Sequence, residues 1–154
     1  MIVEVLCVCR RPPAWVAAVC ADYAKRLARG DALRFRFLKP GPDAADNVVR
    51  RRCEGTDILK ALKAGSYLVA LDERGDELNS VELAARFGVW RERHAHLSLV
   101  IGGADGFDAA VLAAAAERWS LSRLTLPHLL VQVVVAEQIY RAASILAGHP
   151  YHRP

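Results

Sequence analysis

The stretch Leu97-Ser98-Leu99-Val100-Ile101-Gly102-Gly103-Ala104-Asp105-Gly106 decides the fold. Its first half is short and almost wholly apolar, the pattern of a strand covered on both faces, as in a parallel sheet. Its second half is a tight glycine loop, and Asp108 just beyond it is placed to cap an alanine-rich helix predicted to run to Trp119. A buried strand that turns through glycines into a capped helix is one step of an alternating α/β chain.

The same step recurs on both sides. Upstream, Tyr67 to Leu71 is wholly apolar and reads as a central strand; a polar loop, Asp72 to Leu78, follows it. Asn79 with Glu82 forms a capping box, and Leu83, Phe87 and Trp90 mark the helix behind it. Earlier still, Leu33 to Leu38 alternates apolar residues with Arg34 and Arg36, which predicts a strand with one wet side near a sheet edge. The Lys39-Pro40-Gly41-Pro42 break ends it, and Ala44 to Ala64 reads as a helix interrupted near Gly55. At the start, Ile2 to Val8 is a β-branched apolar strand, and Trp15, Val19, Tyr23 and Leu27 fall on one helical face. Downstream, Leu121 to Leu126 reads as a short strand, Pro127 suits a first helical turn, and a long helix reaches Ala147 before Gly148 stops it. Five strands alternating with five helices imply a mostly parallel sheet with helices on both faces.

Composition narrows the function. With 154 residues, of which 53% are hydrophobic, the chain is expected to form a single domain, 1–154, with a full core. Apolar runs such as Leu129 to Ala136 fall well short of the roughly 20 residues a bilayer requires, and Glu137 and Arg141 follow directly. Met1-Ile2-Val3-Glu4-Val5 carries an acid, no basic leader and no small-residue cleavage site, which predicts a cytoplasmic protein. Cys7, Cys9, Cys20 and Cys53 read as buried free thiols, and Cys7-x-Cys9 lacks a second Cys/His cluster at zinc-like spacing, so no metal is expected. The net charge of +4 comes mostly from arginine, whose planar fork suits phosphate and base edges.

In open α/β sheets ligands bind beyond the carboxyl ends of the strands, which directs the search to Leu71-Asp72, Gly102 to Gly106 and Ser122 to Pro127. The glycines would let a ligand approach the backbone closely, though an ordinary tight turn explains them equally well. They match neither a Walker loop nor a dinucleotide fingerprint. Ser120, Ser122 and Ser144 occupy no nucleophile elbow, which disfavours a hydrolase. His128, His149 and His152 suit capping, stacking or hydrogen bonding better than metal ligation, and Arg50, Arg51 and Arg52 read as a solvated helix surface. Glu137 and Arg141, four apart, read as a surface ion pair worth about 0.2–0.5 kcal/mol. Tyr140 reads as core packing, while Tyr140 and Tyr151 both have planes on which a base can stack. Residues alone thus reach a ligand-binding α/β domain with a basic surface.

A longer pattern goes further. Leu99-Val-Ile-Gly-Gly-Ala-Asp-Gly106, Trp119-Ser-Leu-Ser-Arg-Leu-Thr-Leu-Pro-His128, Ala136-Glu-Gln-Ile-Tyr-Arg-Ala142 and His149-Pro-Tyr-His-Arg153 follow one another in the order and spacing of the ribosomal RNA large subunit methyltransferase H family, of the SPOUT class. Trp15, Tyr23 and Arg26 fit as well, so the chain resembles that family over its whole length. The resemblance implies a trefoil-knotted α/β fold, an obligate homodimer, and a tail, 148–154, that contributes to an active site shared between subunits. It implies S-adenosylmethionine held by Leu71, Asp72, Gly102, Gly103 and the run Ser122, Arg123, Leu124, Thr125, Leu126, Pro127. The implied substrate is a pseudouridine of 23S rRNA in the assembled ribosome, methylated at N3. That step is an in-line displacement needing alignment and removal of a weakly acidic imide proton, with no metal.

Within the resemblance, Tyr151, His152 and Arg153 are the candidate substrate contacts, with Arg141 as an anchor and His128 beside them. His152, Tyr151, Arg141 and Glu137 are the candidate catalytic residues, with His128 a further candidate for proton handling and no single general base assigned. Two departures stand out: the family usually has proline and arginine where this chain has Leu129 and Gln132, and a basic stretch where it has Gly41 to Asp46. Both suggest lost RNA-contacting charge, for which Arg50 to Arg52 would compensate. The alternatives are a non-catalytic ribosome- or RNA-binding factor and a SPOUT methyltransferase acting on tRNA.

Overall fold

The computed structural model describes residues 1–27, 30–43 and 45–151. Five strands and five helices alternate: β1 (Ile2–Val8), α1 (Ala14–Arg26), β2 (Ala32–Leu38), α2 (Asn47–Ala61), β3 (Tyr67–Glu77), α3 (Ser80–Arg93), β4 (His96–Ile101), α4 (Ala109–Ala114), β5 (Glu117–Ser120) and α5 (His128–Leu146). The sheet order is β2-β1-β4-β3-β5, with every pair parallel. This α/β architecture is the expected one, and it is consistent with the knot that the resemblance implies. The arginine-alternating strand β2 lies at an edge, and apolar Tyr67 to Leu71 lies between two neighbours.

Side-chain alternation divides the core between the two faces. Val3, Val5 and Cys7 of β1 join Leu97, Leu99 and Ile101 of β4 under α1, α3 and α5. Leu6 and Val8, with Leu68 and Val100, face Ile58 of α2 and Val111 of α4. The Asn79–Glu82 capping box forms as read, and Asp108 caps α4 through the Ala110 N–H.

Several boundaries differ from the sequence reading. The helix after Asp108 ends at Ala114, and β5 occupies Glu117–Ser120, so Trp119 is a strand residue and Ser122 to Leu126 is a loop. The seven residues between Ser120 and His128 are then irregular and free to present backbone groups. Strand β3 continues through the segment read as a loop, because a bulge lets Leu71 and Asp76 both pair with Trp119. Gly75 permits it: a Cβ there would lie 2.6 Å from the Arg118 backbone. Helix α2 runs unbroken through Gly55, and Asp46 caps it. On α1 the buried stripe is Val16 and Cys20, with Trp15 exposed rather than facing the core.

Cys7, Cys9 and Cys20 are buried free thiols, whereas Cys53 is exposed. Helix α5 has the length and apolarity to cross a bilayer on composition, more than the run Leu129 to Ala136 suggested. Its Val135, Ala136, Ile139 and Ala142 are instead buried in the core, where α5 packs on α1 and α3.

Candidate functional site

Beyond the carboxyl ends of the strands lies a cavity of about 950 Å³. The three loops singled out by the strand-end rule converge on it. Leu71, Asp72 and Glu73 enter where β3 bulges, Gly102 to Phe107 turn out of β4, and Leu121, Ser122, Leu124, Thr125 and Leu126 cross from β5 to α5. His128, the first residue of α5, also lines it. Arg123 and Pro127 do not: Arg123 points outward and pairs with Glu77 at 3.2 Å, and Pro127 is exposed at the start of α5.

Each loop is held by a local device. Gly106 has φ of 80°, a left-handed conformation that favours glycine, and Gly103 and Gly106 form an isolated bridge that closes the turn. Asp72 accepts the Arg74 N–H at 3.1 Å, an Asx turn in the bulge. Ser122 Oγ accepts the Leu124 N–H at 2.9 Å and shapes the last loop. Between Ser122 and Leu126 no other backbone N–H has a protein acceptor among the described residues.

A second wall was missed by sequence reading. Arg10, Arg50, Arg51 and Glu54 line the same cavity. Arg50 is half-buried and pairs with Asp105 at 3.2 Å, and Arg51 donates to the Asp105 carbonyl at 3.4 Å. These two arginines are therefore not a solvated surface; they tie α2 to the glycine loop. Arg52 is exposed as expected. The signal was the i, i+4 spacing of Arg50 and Glu54, which places both on one helix face.

The tail-side candidates gather elsewhere. Tyr151 O–H donates to Glu137 Oε1 at 3.2 Å and lies 3.5 Å from the Tyr23 hydroxyl. Arg141 Nε donates to Glu137 Oε1 at 2.9 Å, and its guanidinium lies 5.0 Å from the Tyr151 ring centre. Tyr140 packs edge-on against Tyr151 and tilted against Tyr23. Glu137 and Arg141 are thus partly buried members of a network rather than an isolated surface pair. The hydrogen bond with Tyr23, then burial and Glu137, holds the Tyr151 hydroxyl well above its ordinary value, so it stays protonated at neutral pH. The Glu137 hydrogen bond likewise strengthens the charge on Arg141. His149 is exposed, with Nδ1 accepting the Tyr151 N–H at 3.3 Å, and His152 and Arg153 lie outside the described residues.

Neither cluster overlaps the other, since Tyr151, Arg141 and Glu137 do not line the cavity. Among the described residues no three His, Cys, Asp or Glu side chains gather as metal ligands would. Burial lowers the pKa of His128, which favours its neutral form at the cavity wall.

The family model described as "Predicted SPOUT methyltransferase" matches residues 1–152. The chain belongs to the SPOUT methyltransferase family. Proteins named "Ribosomal RNA large subunit methyltransferase H" are similar to it: those of Xanthomonas oryzae pv. oryzae (strain PXO99A) and Xanthomonas axonopodis pv. citri (strain 306) are each 46% identical, and that of Stenotrophomonas maltophilia (strain K279a) is 44% identical. All three matches cover 93% of this chain and 93% of the relative. A SPOUT methyltransferase requires a methyl donor, and the cavity is the concave, loop-built site in which one fits.

Gln132 gains a different meaning within this family. It is fully buried, with Nε2 3.5 Å from Cys9 Sγ, and Leu129 packs against the core. Of the segment before α2, Asp43 is exposed and Asp46 caps the helix.

Proposed function

We propose that this SPOUT methyltransferase transfers a methyl group from S-adenosylmethionine to N3 of a pseudouridine in 23S rRNA, within the assembled ribosome. It does so as a cytoplasmic homodimer. The observation that carries the reading is the cavity: three loops from β3, β4 and β5 meet there around about 950 Å³, at the upper end of the roughly 300–1,000 Å³ typical of small-molecule sites. The named relatives supply the substrate class, and the net charge of +4 suits a phosphate-bearing partner.

The residues present fit the donor. Gly102 and Gly103 leave one wall without side chains, and the free backbone N–H groups of Arg123, Thr125 and Leu126 suit an adenine edge, whatever their side chains do. Bound there, S-adenosylmethionine would supply an electrophilic methyl on a sulfonium whose sulfur leaves as a neutral thioether without acid assistance. The protein's task is alignment and removal of the imide proton. His128, neutral and on the cavity wall, is the candidate in place to accept that proton. Tyr151, protonated, donates, and Arg141 offers a plane for the base or a charge for its phosphate.

The separation of the two clusters supports the dimer. His128 and Arg141 are thirteen residues apart on one helix, roughly 20 Å along its axis, more than side chains can span. A second copy, related by symmetry, would bring the tail of one chain to the cavity of the other.

The test is methyl transfer from labelled S-adenosylmethionine to assembled ribosomes carrying the pseudouridine but lacking the methyl. Free 23S rRNA and tRNA serve as controls. Label on the ribosomes alone, mapped to one pseudouridine, is the expected result. Label on tRNA would move the substrate, and cofactor binding without transfer to any RNA would leave a binding factor.

A further inference from the structure

Glu54 lines the cavity and is used by none of the steps above. It is 3% exposed, so its carboxylate is almost fully withdrawn from water. Oε1 accepts the Gly41 N–H at 2.9 Å. Oε2 is buried and, among the described residues, has no donor. On its own helix face Arg50 pairs with Asp105 at 3.2 Å and donates to the Ala45 carbonyl at 2.8 Å, and its buried Nε makes no hydrogen bond to Glu54. A buried carboxylate with one oxygen unsatisfied is expensive, and a native protein that keeps one has a partner for it.

The position of that oxygen narrows the partner. A Cβ on Gly103 would lie 2.5 Å from Glu54 Oε2, so the carboxylate rests against the bare glycine where the chain turns out of β4. The cavity side of the glycine loop is the open approach to it, and a partner that brings both positive charge and an N–H offsets the buried charge as well as the unmade hydrogen bond. The donor molecule carries two cations. Its sulfonium has no hydrogen to give, and its adenine amino group is neutral and suits backbone carbonyls. Its α-ammonium meets both requirements.

We propose that Glu54 is a cofactor-binding residue whose Oε2 accepts a hydrogen bond from the α-ammonium of the methyl donor's aminoacyl end. This rests on the assignment of S-adenosylmethionine as donor. It divides the cavity into an adenosine end, walled by the backbone of Ser122 to Leu126, and an aminoacyl end at α2 and the glycine loop.

Calorimetric titration of the full chain tests it with three ligands: S-adenosylmethionine, S-adenosylhomocysteine, and the homocysteine derivative whose α-amino group is replaced by hydrogen. Wild type should bind the deamino compound at least about tenfold more weakly than S-adenosylhomocysteine, as expected for loss of a charged hydrogen bond. Glu54→Gln keeps the shape and an oxygen for Gly41. It should weaken both amino ligands by about tenfold or more and leave the deamino compound within about twofold, so that the gap closes. The melting temperature of ligand-free Glu54→Gln should be unchanged or raised, since an unpaired buried charge has gone.

Equal weakening of all three ligands would make Glu54 a scaffold residue and overturn the proposal. Weakening of S-adenosylmethionine alone would assign the carboxylate to the sulfonium, and no weakening would assign Oε2 to an ordered water; either outcome also overturns it. Wild type without a preference for the amino ligand rejects it even if the variant does not fold. Failure of wild type to bind any of the three would remove the donor assignment itself, and this inference with it.

Discussion

Arg50, Arg51 and Arg52 are consecutive in sequence and separate in placement. Arg50 and Arg51 reach Asp105 and fasten the glycine loop, while Arg52 is exposed. Charge reversal should therefore split the phenotype. Arg50→Glu places an acid opposite Asp105 and should weaken cofactor binding by about tenfold, because a partly buried pair becomes a repulsion. Arg52→Glu should leave cofactor affinity within about twofold while lowering the rate on ribosomes and the salt dependence of that rate, as a lost phosphate contact does. Equal effects of both variants on cofactor binding would reject the division. Sequence reading could not separate the three, since an arginine run carries no information on which side chain meets the carboxylate or the carbonyl of a residue 54 or 55 positions away. Glu54 escaped for the same reason: charged residues in a polar helix ordinarily face water, and its burial comes from the loops after β2 and β4.

Among the elements, Gly55 shows how tertiary packing overrides local preference. Glycine in a helix interior normally costs up to about 1 kcal/mol relative to alanine. Here α2 crosses α4 so closely that a Cβ on Gly55 would lie 2.8 Å from Asp108 Cβ and 3.3 Å from Val111 Cγ2. Gly55→Ala should thus destabilise by about 1–2 kcal/mol in urea unfolding, despite its better propensity. Gly88 is the control: a Cβ there meets only Leu146 methyls at 3.5–3.6 Å, so Gly88→Ala should stabilise by a few tenths to about 1 kcal/mol. Periodicity took Gly55 for a break because it cannot see a neighbouring helix. It read the apolar strands, the capping box and the strand-helix alternation correctly, since those depend on local pattern. It misplaced β5, where the alanine-rich α4 is cut short and Trp119 pairs with the bulge of β3, a long-range contact.

His128 makes the start of α5 sensitive to pH. Burial lowers its pKa, and a cation at a helix N-terminus also opposes the macrodipole. The folded state therefore prefers neutral imidazole. Its share of stability is fully present above the unfolded value near 6.5 and is lost as pH falls through the lower folded value. Melting temperatures from pH 8 to pH 5 should fall more steeply for wild type than for His128→Gln. Parallel curves would contradict this.

At the scale of the molecule, the proposed dimer requires the two clusters to cooperate across subunits. The strand-end rule located the cavity, but it says nothing of the tail, and within one chain Tyr151 and Arg141 lie outside the cavity lining. Complementation separates the possibilities. Thr125→Trp fills the cavity from an exposed lining position, and Arg141→Ala strips the tail cluster; each homodimer should be inactive. Co-refolded in equal amounts, half the dimers are mixed, and each mixed dimer has one site that joins an intact cavity to an intact tail. A site shared between subunits then restores about a quarter of wild-type activity, whereas a site within one chain restores none, because no chain in the mixture has both parts. Recovery that tracks the mixed-dimer fraction as the ratio is varied would tie catalysis to the interface. Its absence, with mixed dimers demonstrated by mass, would place the cavity and tail functions within one chain and reject the shared site.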